Sequence, residues 1–448
     1  MTAKLTLGLL LSLMASLPTF AEDRPSTVDD ASREAYSKPL PGLSDGERET
    51  FFRGRSLFRQ SWVVAPVANS TVDGLGPLYN RLACSSCHQK NSRGTAPDFP
   101  GERMQSMLIR LSVAGTSADG GPKPHPVYGG QLNEEGIPGV PGEGRAVLYW
   151  KPKTVRLPDG EKVELRYPVL KFKELAYGPL TGAKTSARVS PAVFGLGLLE
   201  SVSEDTLQKL AAETKPDGIK GRINRVWDVE QQKPVPGRFG LKANAPNLRQ
   251  QSAGAFVGDL GITSPLFSEE NCSPSQRACR KAVSGGHPEL DKQQLDDVEF
   301  YLAHLAVPAR RKITDPTVVR GEALFAATGC SQCHRPSLPT GDHPKFPLLS
   351  QRSIAPYTDL LIHDMGAGLA DHRPDYQAGG RDWRTPPLWG IGLVPAINGT
   401  ARYLHDGRAR TLQEAILWHD GEGRKVRQRY SRLSKKDREA LLTFLDSL

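Results

Sequence analysis

The chain has 448 residues, of which 38% are hydrophobic and 24% charged, and its formal net charge is +9. Its basic residues are dispersed, without a helical basic stripe that interleaves aromatic residues, so the composition argues against a nucleic-acid-binding protein. Beyond the N-terminus no stretch approaches about 18 consecutive apolar residues, so no membrane span is predicted.

The N-terminus has the pattern of a secretory signal peptide. Leu5 to Met14 is mostly apolar, and the small residues Thr19 and Ala21 stand at positions −3 and −1 of a cleavage site. The apolar segment is too short and wrongly flanked for a stable transmembrane anchor. We therefore predict a signal peptide at residues 1–21 and export to the periplasm.

The motif Cys-x-x-Cys-His occurs twice, at residues 84–88 and 330–334. It is typical of covalent haem c attachment, in which the cysteine sulfurs bind the porphyrin and the histidine is the proximal iron ligand. A Cys-x-x-Cys pair alone would also fit zinc or a thiol redox pair. We predict two covalently bound haem c groups, attached through Cys84, Cys87, Cys330 and Cys333, with iron ligands His88 and His334.

An internal repeat surrounds both motifs. Arg53–Phe58 precedes the first motif and Arg320–Phe325 precedes the second, and both segments predict helices. Leu295–Leu305 and Arg438–Leu448 share an aromatic-Leu-x-x-Leu ending that places apolar residues on one helical face. Each half therefore begins and ends with a helix around its haem motif, which is the helical plan of a cytochrome c domain.

The predicted fold is mainly α, with two cytochrome c-like haem domains. Gly- and Pro-rich insertions with a few short β-strands, such as Lys162–Tyr167, enlarge the N-terminal domain. Prolines bracket the basic run Arg310–Lys312, which predicts a solvated linker between domains. The predicted domains are residues 22–308, the N-terminal haem domain with insertions, and residues 309–448, the C-terminal cytochrome c domain.

The two remaining cysteines, Cys272 and Cys279, lie close together in a polar segment. In an oxidising compartment they are expected to form a structural disulfide. A redox-active pair is the alternative, although the spacing is not Cys-x-x-Cys.

Further sequence strings lie outside the two motifs. The most specific are Trp383–Gly390 and Tyr403–Ala409; others are Tyr128–Leu132, Gly237–Gly240, Leu305–Arg311 and His363–Gly366. On these strings the chain resembles the bacterial di-haem oxidoreductase family, some members of which are labelled thiol oxidoreductases, and which is related to dihaem cytochrome c peroxidases. The resemblance implies that the C-terminal haem accepts electrons from a small redox protein. It also implies that the N-terminal haem reacts with a peroxide or another small oxidant.

The sixth ligand of the second haem is predicted to be His419. In the peroxidase relatives a methionine on the helix after a Tyr-x-His-x-Gly turn ligates the relay haem, and the resemblance places His419 there. Thr411 and Glu414 have capping-box spacing, and His419 ends one apolar face of the helix that they begin. A buried structural histidine and ligation by Met365 are the alternatives. Two histidine ligands would give this haem a lower potential than a His/Met pair.

The sequence does not assign the sixth ligand of the first haem. The position could be empty, or filled by His125, Met104 or Met107. Peroxide chemistry needs an accessible iron and a group that moves a proton between the two oxygens. Gln131 is the predicted catalytic residue because it lies in one of the family strings, with Glu134 and Glu135 as further candidates. A glutamine that only stabilises its loop is the alternative.

The sequence therefore predicts a periplasmic dihaem oxidoreductase that is peroxidase-like. The alternative, from another class, is an electron-transfer cytochrome with both irons saturated and no catalysis. The large insertions around the first haem favour the enzyme, because a simple carrier does not need them. Trp389 and Trp418 could mediate electron transfer between the haems or simply pack in the core.

Overall fold

The structure is a computed structural model that describes residues 26–69 and 71–448, so the predicted signal peptide lies outside the described residues. The α-helices are α1 (Asp45–Arg59), α2 (Cys84–Cys87), α3 (Leu196–Glu200), α4 (Glu204–Ala212), α5 (Leu248–Ala255), α6 (Arg277–Arg280), α7 (Lys292–Ala303), α8 (Pro316–Thr328), α9 (Val394–Asn398), α10 (Leu412–Leu417), α11 (Arg424–Arg432) and α12 (Lys435–Ser447). None of the helices described is long and apolar enough to cross a membrane.

The β-strands are short, apart from one long pair. They are β1 (Thr27–Val28), β2 (Leu78–Tyr79), β3 (Met107–Ser112), β4 (Glu135–Gly136), β5 (Arg145–Arg156), β6 (Lys162–Lys173), β7 (Lys184–Val189), β8 (Arg225–Asp228), β9 (Lys233–Pro236), β10 (Val307–Pro308), β11 (Leu338–Pro339), β12 (Ser353–Ile354), β13 (Ile362–Asp364) and β14 (Asp382–Arg384). In the described residues they form seven two-stranded sheets, and all except the parallel pair β1–β10 are antiparallel.

The predicted mainly α fold class is wrong, because the chain is only 31% helical and 18% strand. The difference arises in the insertions. The predicted strand Lys162–Tyr167 is half of β6, which pairs with β5 along twelve residues. Pro152 and Pro168 lie inside this pair, and proline in a strand normally argues against a central position. A two-stranded ribbon has only edge strands, so both prolines are accommodated.

The repeated helices form as predicted and cross in pairs, α1 on α7 and α8 on α12. Each crossing is centred on the glycine of the repeat. A Cβ on Gly54 would lie 1.9 Å from the Asp297 carbonyl oxygen, and a Cβ on Gly321 would lie 2.0 Å from that of Ala440. Only glycine allows the two backbones to approach this closely.

The two largest hydrophobic cores draw residues from both predicted domains. The core around α1 and α7 includes Leu349 and Trp389, and the core around α8 and α12 includes Leu157 and Leu165 from the β5–β6 hairpin. The two predicted domains therefore pack into each other. The boundary between residues 308 and 309 stays a prediction.

The prediction that Arg310–Lys312 is a solvated linker is wrong for Arg310 and Arg311, because both side chains bind neighbouring helices. Arg310 forms an ion pair with Glu322 at 2.8 Å, and Arg311 donates to the carbonyl oxygen of Asp446. Burial of α8 against α12 brings these acceptors to the linker, which the local sequence does not reveal. The predicted disulfide Cys272–Cys279 is confirmed, with its Cα atoms 5.7 Å apart.

Candidate haem sites

The first motif is built from a single helical turn. Cys84–Cys87 is α2, and His88 follows directly as its C-terminal cap. The His88 Nδ1 lies 2.8 Å from the Pro191 carbonyl oxygen, so Nδ1 donates and Nε2 keeps the lone pair that a metal requires. Burial lowers the pKa of His88 to about 4, which keeps the imidazole neutral and ready to bind.

The second motif repeats this arrangement. The His334 Nδ1 lies 2.9 Å from the Tyr357 carbonyl oxygen, which again leaves Nε2 free. Burial lowers the pKa of His334 to about 4, and the charge of His419 acts in the same direction. The two imidazoles therefore lie within electrostatic reach of each other.

Three of the four motif thiols, those of Cys84, Cys87 and Cys330, are unsuited to thiolate chemistry. Burial, helped by the nearby Asp259 carboxylate, raises the pKa of Cys84 and of Cys87 to about 12. Burial also raises the pKa of Cys330 to about 11. Zinc binding and thiol redox reactions both need a thiolate. The four cysteines are not bridged, and this environment suits neutral thioethers better than either alternative.

His419 lies where the sequence predicts, immediately beyond α10. Its Nδ1 lies 2.9 Å from the Ala415 carbonyl oxygen, so its Nε2 is also free to bind a metal. The Thr411 hydroxyl caps α10 by accepting the Glu414 N–H at 3.1 Å. The predicted capping box forms only in part, because the Glu414 carboxylate accepts from the Arg410 N–H at 3.0 Å.

Met365, the rival ligand, lies beside His419. A Cβ placed on Gly423 would lie 3.4 Å from the His419 Cδ2 and 3.5 Å from the Met365 Cε. The structure thus brings His334, His419 and Met365 to one region, and the ligand assignment stays a prediction.

The residues around the second motif fit a haem. The Trp418 Nε1, the Tyr430 hydroxyl and one Arg384 nitrogen are buried and have no hydrogen-bond partner among the described residues. Buried donors without partners are costly. Haem propionates are acceptors that could satisfy such donors, and the Nε2 atoms of His334 and His419 would each be free to ligate the iron.

Gln131 lies near the first motif because it binds Asp259, a residue that the sequence analysis missed. Its Nε2 donates to the Gly258 carbonyl oxygen at 2.7 Å and to the Asp259 Oδ1 at 2.8 Å. Both acceptors belong to the π-helical turn Phe256–Leu260, a distortion that is frequent at functional sites. The Gln131 Oε1 is buried without a partner among the described residues.

Asp259 is the missed residue. Burial raises its pKa, while the Arg110 guanidinium and the Gln131 amide partly oppose this rise. Because its charge also raises the pKa of Cys84 and of Cys87, Asp259 lies at the first motif. The sequence does mark this residue in one way, because Asp259 is the only charged residue in the apolar run 253–262.

The other candidates at the first haem make different contacts. Met104 and Met107 are buried in an apolar cluster, and Met107 lies on the face of β3 opposite to Arg110. The His125 Nδ1 accepts from the N–H groups of Val127 and Tyr128 at 3.1 and 3.2 Å. None of these contacts within residues 26–69 and 71–448 joins them to His88. Of the two glutamates, Glu135 pairs with Arg103 at 2.6 Å and Glu134 lies 3.5 Å from Arg81.

His405, whose ring stacks on Trp383, makes contacts that lead toward both motifs. The two rings lie 3.7 Å apart, with an angle of 9° between their planes. Toward the first motif, the His405 carbonyl oxygen accepts the Val189 N–H at 2.8 Å. Two residues further on, Pro191 holds His88.

The connection continues from His405 toward the second motif. The His405 Nε2 lies 3.3 Å from Asp406, whose carboxylate binds Arg408 at 2.6 Å. The Arg408 guanidinium lies 4.5 Å from the centre of the Trp418 ring, beside His419. These contacts therefore run from His88 of the first motif to Trp418, the residue before His419. Trp389 belongs to the core instead, packed against Gly195.

His363 lies in a buried charged cluster beside the second motif. Burial alone would lower its pKa, but the Asp359 and Glu422 carboxylates, at 3.0 and 2.7 Å, raise it well above 6.5. Cys333, Asp359 and His363 could together hold a metal ion. Both His363 nitrogens are already engaged and Lys215 pairs with Asp359 at 3.0 Å, so the cluster is satisfied without one.

Two Cys-x-x-Cys-His sites of one design, each with a neutral histidine held through Nδ1, define a dihaem protein. A sequence profile described as "Di-haem oxidoreductase, putative peroxidase" matches residues 24–448. The chain belongs to the di-haem oxidoreductase family.

Other comparisons add little. No curated protein matches the chain. One solved structure, hydrazine synthase of Kuenenia stuttgartiensis pressurised with 20 bar xenon, is similar at 14% identity and a TM-score of 0.36, covering 99% of this chain and 100% of that one. A likeness at this TM-score defines neither the fold nor the function of this chain.

Proposed function

We propose that this chain is a periplasmic dihaem c oxidoreductase that reduces a peroxide. In this proposal the signal peptide exports the chain, and thioethers at the four motif cysteines attach the haems. Electrons enter at the C-terminal haem from a small redox protein and pass to the N-terminal haem. The net reaction is H₂O₂ + 2e⁻ + 2H⁺ → 2H₂O.

The observation that carries this proposal is the asymmetry between the two sites. His334 faces a second histidine, His419, whose charge affects its pKa. Burial lowers the pKa of His88 and the Pro191 hydrogen bond raises it, and no second histidine contributes among the described residues. Near the first motif lie a carboxyl, an amide and a guanidinium, those of Asp259, Gln131 and Arg110. With haem bound, His334 and His419 could both ligate the second iron, which would suit a relay, and a titratable group near the first motif would suit a reaction centre.

Asp259 would hold and move the proton that peroxide cleavage requires. A bound haem supplies an iron that exchanges single electrons. Burial raises the pKa of Asp259 above its ordinary value, which favours a carboxyl that holds a proton for transfer. Gln131 fixes the carboxyl through Oδ1, which leaves Oδ2 to carry the proton. Gln131 is then a positioning residue.

The contacts between the motifs support an electron relay. A series of contacts leads from Pro191, which holds His88, through His405 to Trp418, and Trp383 stacks on His405. Electron tunnelling is faster through such contacts than across gaps. The cations Lys242 and Arg188 lie 4.4 and 5.8 Å from the Trp383 ring centre, and they disfavour a positive charge on the ring. Trp383 is therefore a poor site for oxidation, and its place is beside His405 rather than on the route itself.

The experiment is peroxide consumption by the half-reduced holoprotein, with hexaammineruthenium(II) as the electron donor. We expect catalytic consumption with two electrons used per peroxide. An electron-transfer cytochrome would instead be reduced and reoxidised without saturable peroxide turnover, and that result would reject the enzyme.

A further inference from the structure

The β5–β6 hairpin carries an unusual concentration of unpaired positive charge. Of the exposed charged side chains on its two strands, seven are cationic and one, Glu164, is acidic. Arg145 pairs with Glu174 at 3.4 Å. The other six cations form no ion pair within the described residues; they are Lys151, Lys153, Arg156, Lys162, Lys171 and Lys173.

Four of these lysines share one face of the ribbon. Lys151 and Lys153 lie on the same side of β5, and Lys171 and Lys173 lie opposite Val147 and Arg145 in the antiparallel register. Directly paired residues point to the same face. We call Lys151, Lys153, Lys171, Lys173 and Tyr167 the hairpin face; Tyr167 is 38% exposed. It extends about 27 Å along the strands, at about 3.4 Å per residue.

The hairpin face ends at the second haem site. The Lys153 Nζ lies 4.8 Å from the centre of the Trp418 ring, and Trp418 precedes His419. The tip of the hairpin is fixed there, because Leu157 and Leu165 pack into the core around α8 and α12. Arg438 also binds Asp159 and Glu161 of the turn at 2.7 and 2.6 Å. The positive surface therefore has a fixed position relative to the second site.

We propose that the hairpin face is the docking surface for an acidic electron-donor protein. This inference rests on the proposed function, since it assigns the place where electrons enter. A rigid row of unpaired lysines attracts an acidic partner, and Tyr167 offers an apolar contact within the row. Docking at its Lys153 end would bring the donor to Trp418, the residue before the predicted ligand His419.

A second basic groove provides the rival surface. It is lined by Arg33, Arg55, Arg59 and Lys90 beside Ser85 of the first motif. Lys90 is already paired with Glu34 at 2.7 Å, so part of its charge is neutralised. Docking in this groove would deliver electrons to the first haem.

The test is a stopped-flow measurement of second-haem reduction in the oxidised holoprotein, with reduced plant-type [2Fe–2S] ferredoxin as an acidic probe. The test variant is Lys151→Gln/Lys171→Gln/Lys173→Gln, which leaves Lys153 on Trp418. The matched control, Lys209→Gln/Lys233→Gln/Lys281→Gln, removes the same charge from exposed lysines on other elements. We expect the test variant to lose at least about tenfold in the second-order rate constant at low salt. The difference should disappear near 0.5 M salt, and the control should stay within twofold of wild type.

Three results would overturn the proposal. The first is an unchanged rate in the test variant at low salt. The second is a loss confined to Arg55→Gln/Arg59→Gln, which would place docking at the first haem. The third is loss of binding to anionic phospholipid vesicles with an unchanged ferredoxin rate, which would make the face a membrane contact.

A second donor distinguishes failure of the peroxidase function from failure of the docking surface. Hexaammineruthenium(II) is a small cation that needs no docking surface, so peroxide turnover with this donor should be the same in the test variant and wild type. If wild type fails to turn over peroxide while ferredoxin reduction still depends on the three lysines, the docking surface stands and the peroxidase function fails.

Discussion

Replacing Asp259 with asparagine should abolish most peroxide turnover while preserving the fold. Asparagine keeps the size of the side chain and its Oδ1, which can still accept the Gln131 Nε2 hydrogen bond of 2.8 Å. The variant removes the titratable carboxyl and its charge, and leaves an amide that does not take part in proton transfer near neutral pH. General acid–base catalysis contributes about 10²–10⁴-fold, which corresponds to about 2.7–5.5 kcal/mol of activation free energy. We therefore expect kcat to fall by at least about a hundredfold.

The assay is steady-state peroxide reduction by holoprotein that carries both haems, with unfolding curves measured alongside. The companion variant Gln131→Met removes a hydrogen bond that lowers the pKa of Asp259. That pKa should then rise, and the limb of the pH–rate profile set by Asp259 should move to higher pH. The reasoning is refuted if Asp259→Asn keeps its activity within threefold, or if Gln131→Met lowers the rate without moving the profile.

Three further predictions address the helix crossings, the second haem and the buried His363 cluster. Gly321→Ala should destabilise the protein by about 2–3 kcal/mol, because the new Cβ meets backbone. Gly46→Ala, where a Cβ meets nothing within 4 Å, should be neutral or stabilising by up to about 1 kcal/mol in the same thermal unfolding assay. His419→Met should raise the second-haem potential in a spectroelectrochemical titration, since an axial methionine raises potentials, and an unchanged potential would point to Met365. His363 has a folded-state pKa well above its unfolded value near 6.5, so its stabilisation is complete below pH 6.5 and is lost as pH rises through the folded value. The stability difference between wild type and His363→Gln should therefore shrink from pH 6 to pH 10 in urea unfolding, and a difference that grows would contradict this assignment.

The sequence predicts the repeated elements well because local patterns specify them. The motif turns, the helices around Gly54 and Gly321, the cap at Thr411 and the disulfide all follow from short-range chemistry. Spacing alone singles out His88 and His334 as predicted iron ligands. The carbonyl oxygens that orient them, from Pro191 and Tyr357, come from distant segments.

Long-range packing explains what the sequence analysis missed. The β5–β6 ribbon contains prolines and glycine-rich neighbours, so its length depends on pairing that local propensity does not show. Asp259 has no motif of its own, and its environment exists only because Gln131 and Arg110 reach it from other segments. The Trp383–His405 stack likewise joins two strings whose contact the sequence does not reveal.

The most direct test of the central claim is low-temperature EPR of the ferric holoprotein with both haems attached. An open first iron beside a second iron ligated by His334 and His419 predicts one high-spin and one low-spin signal. Two low-spin signals that become one high-spin centre on half-reduction would agree with the account as a reductively activated enzyme. Two low-spin signals that persist after half-reduction would contradict it and identify an electron carrier.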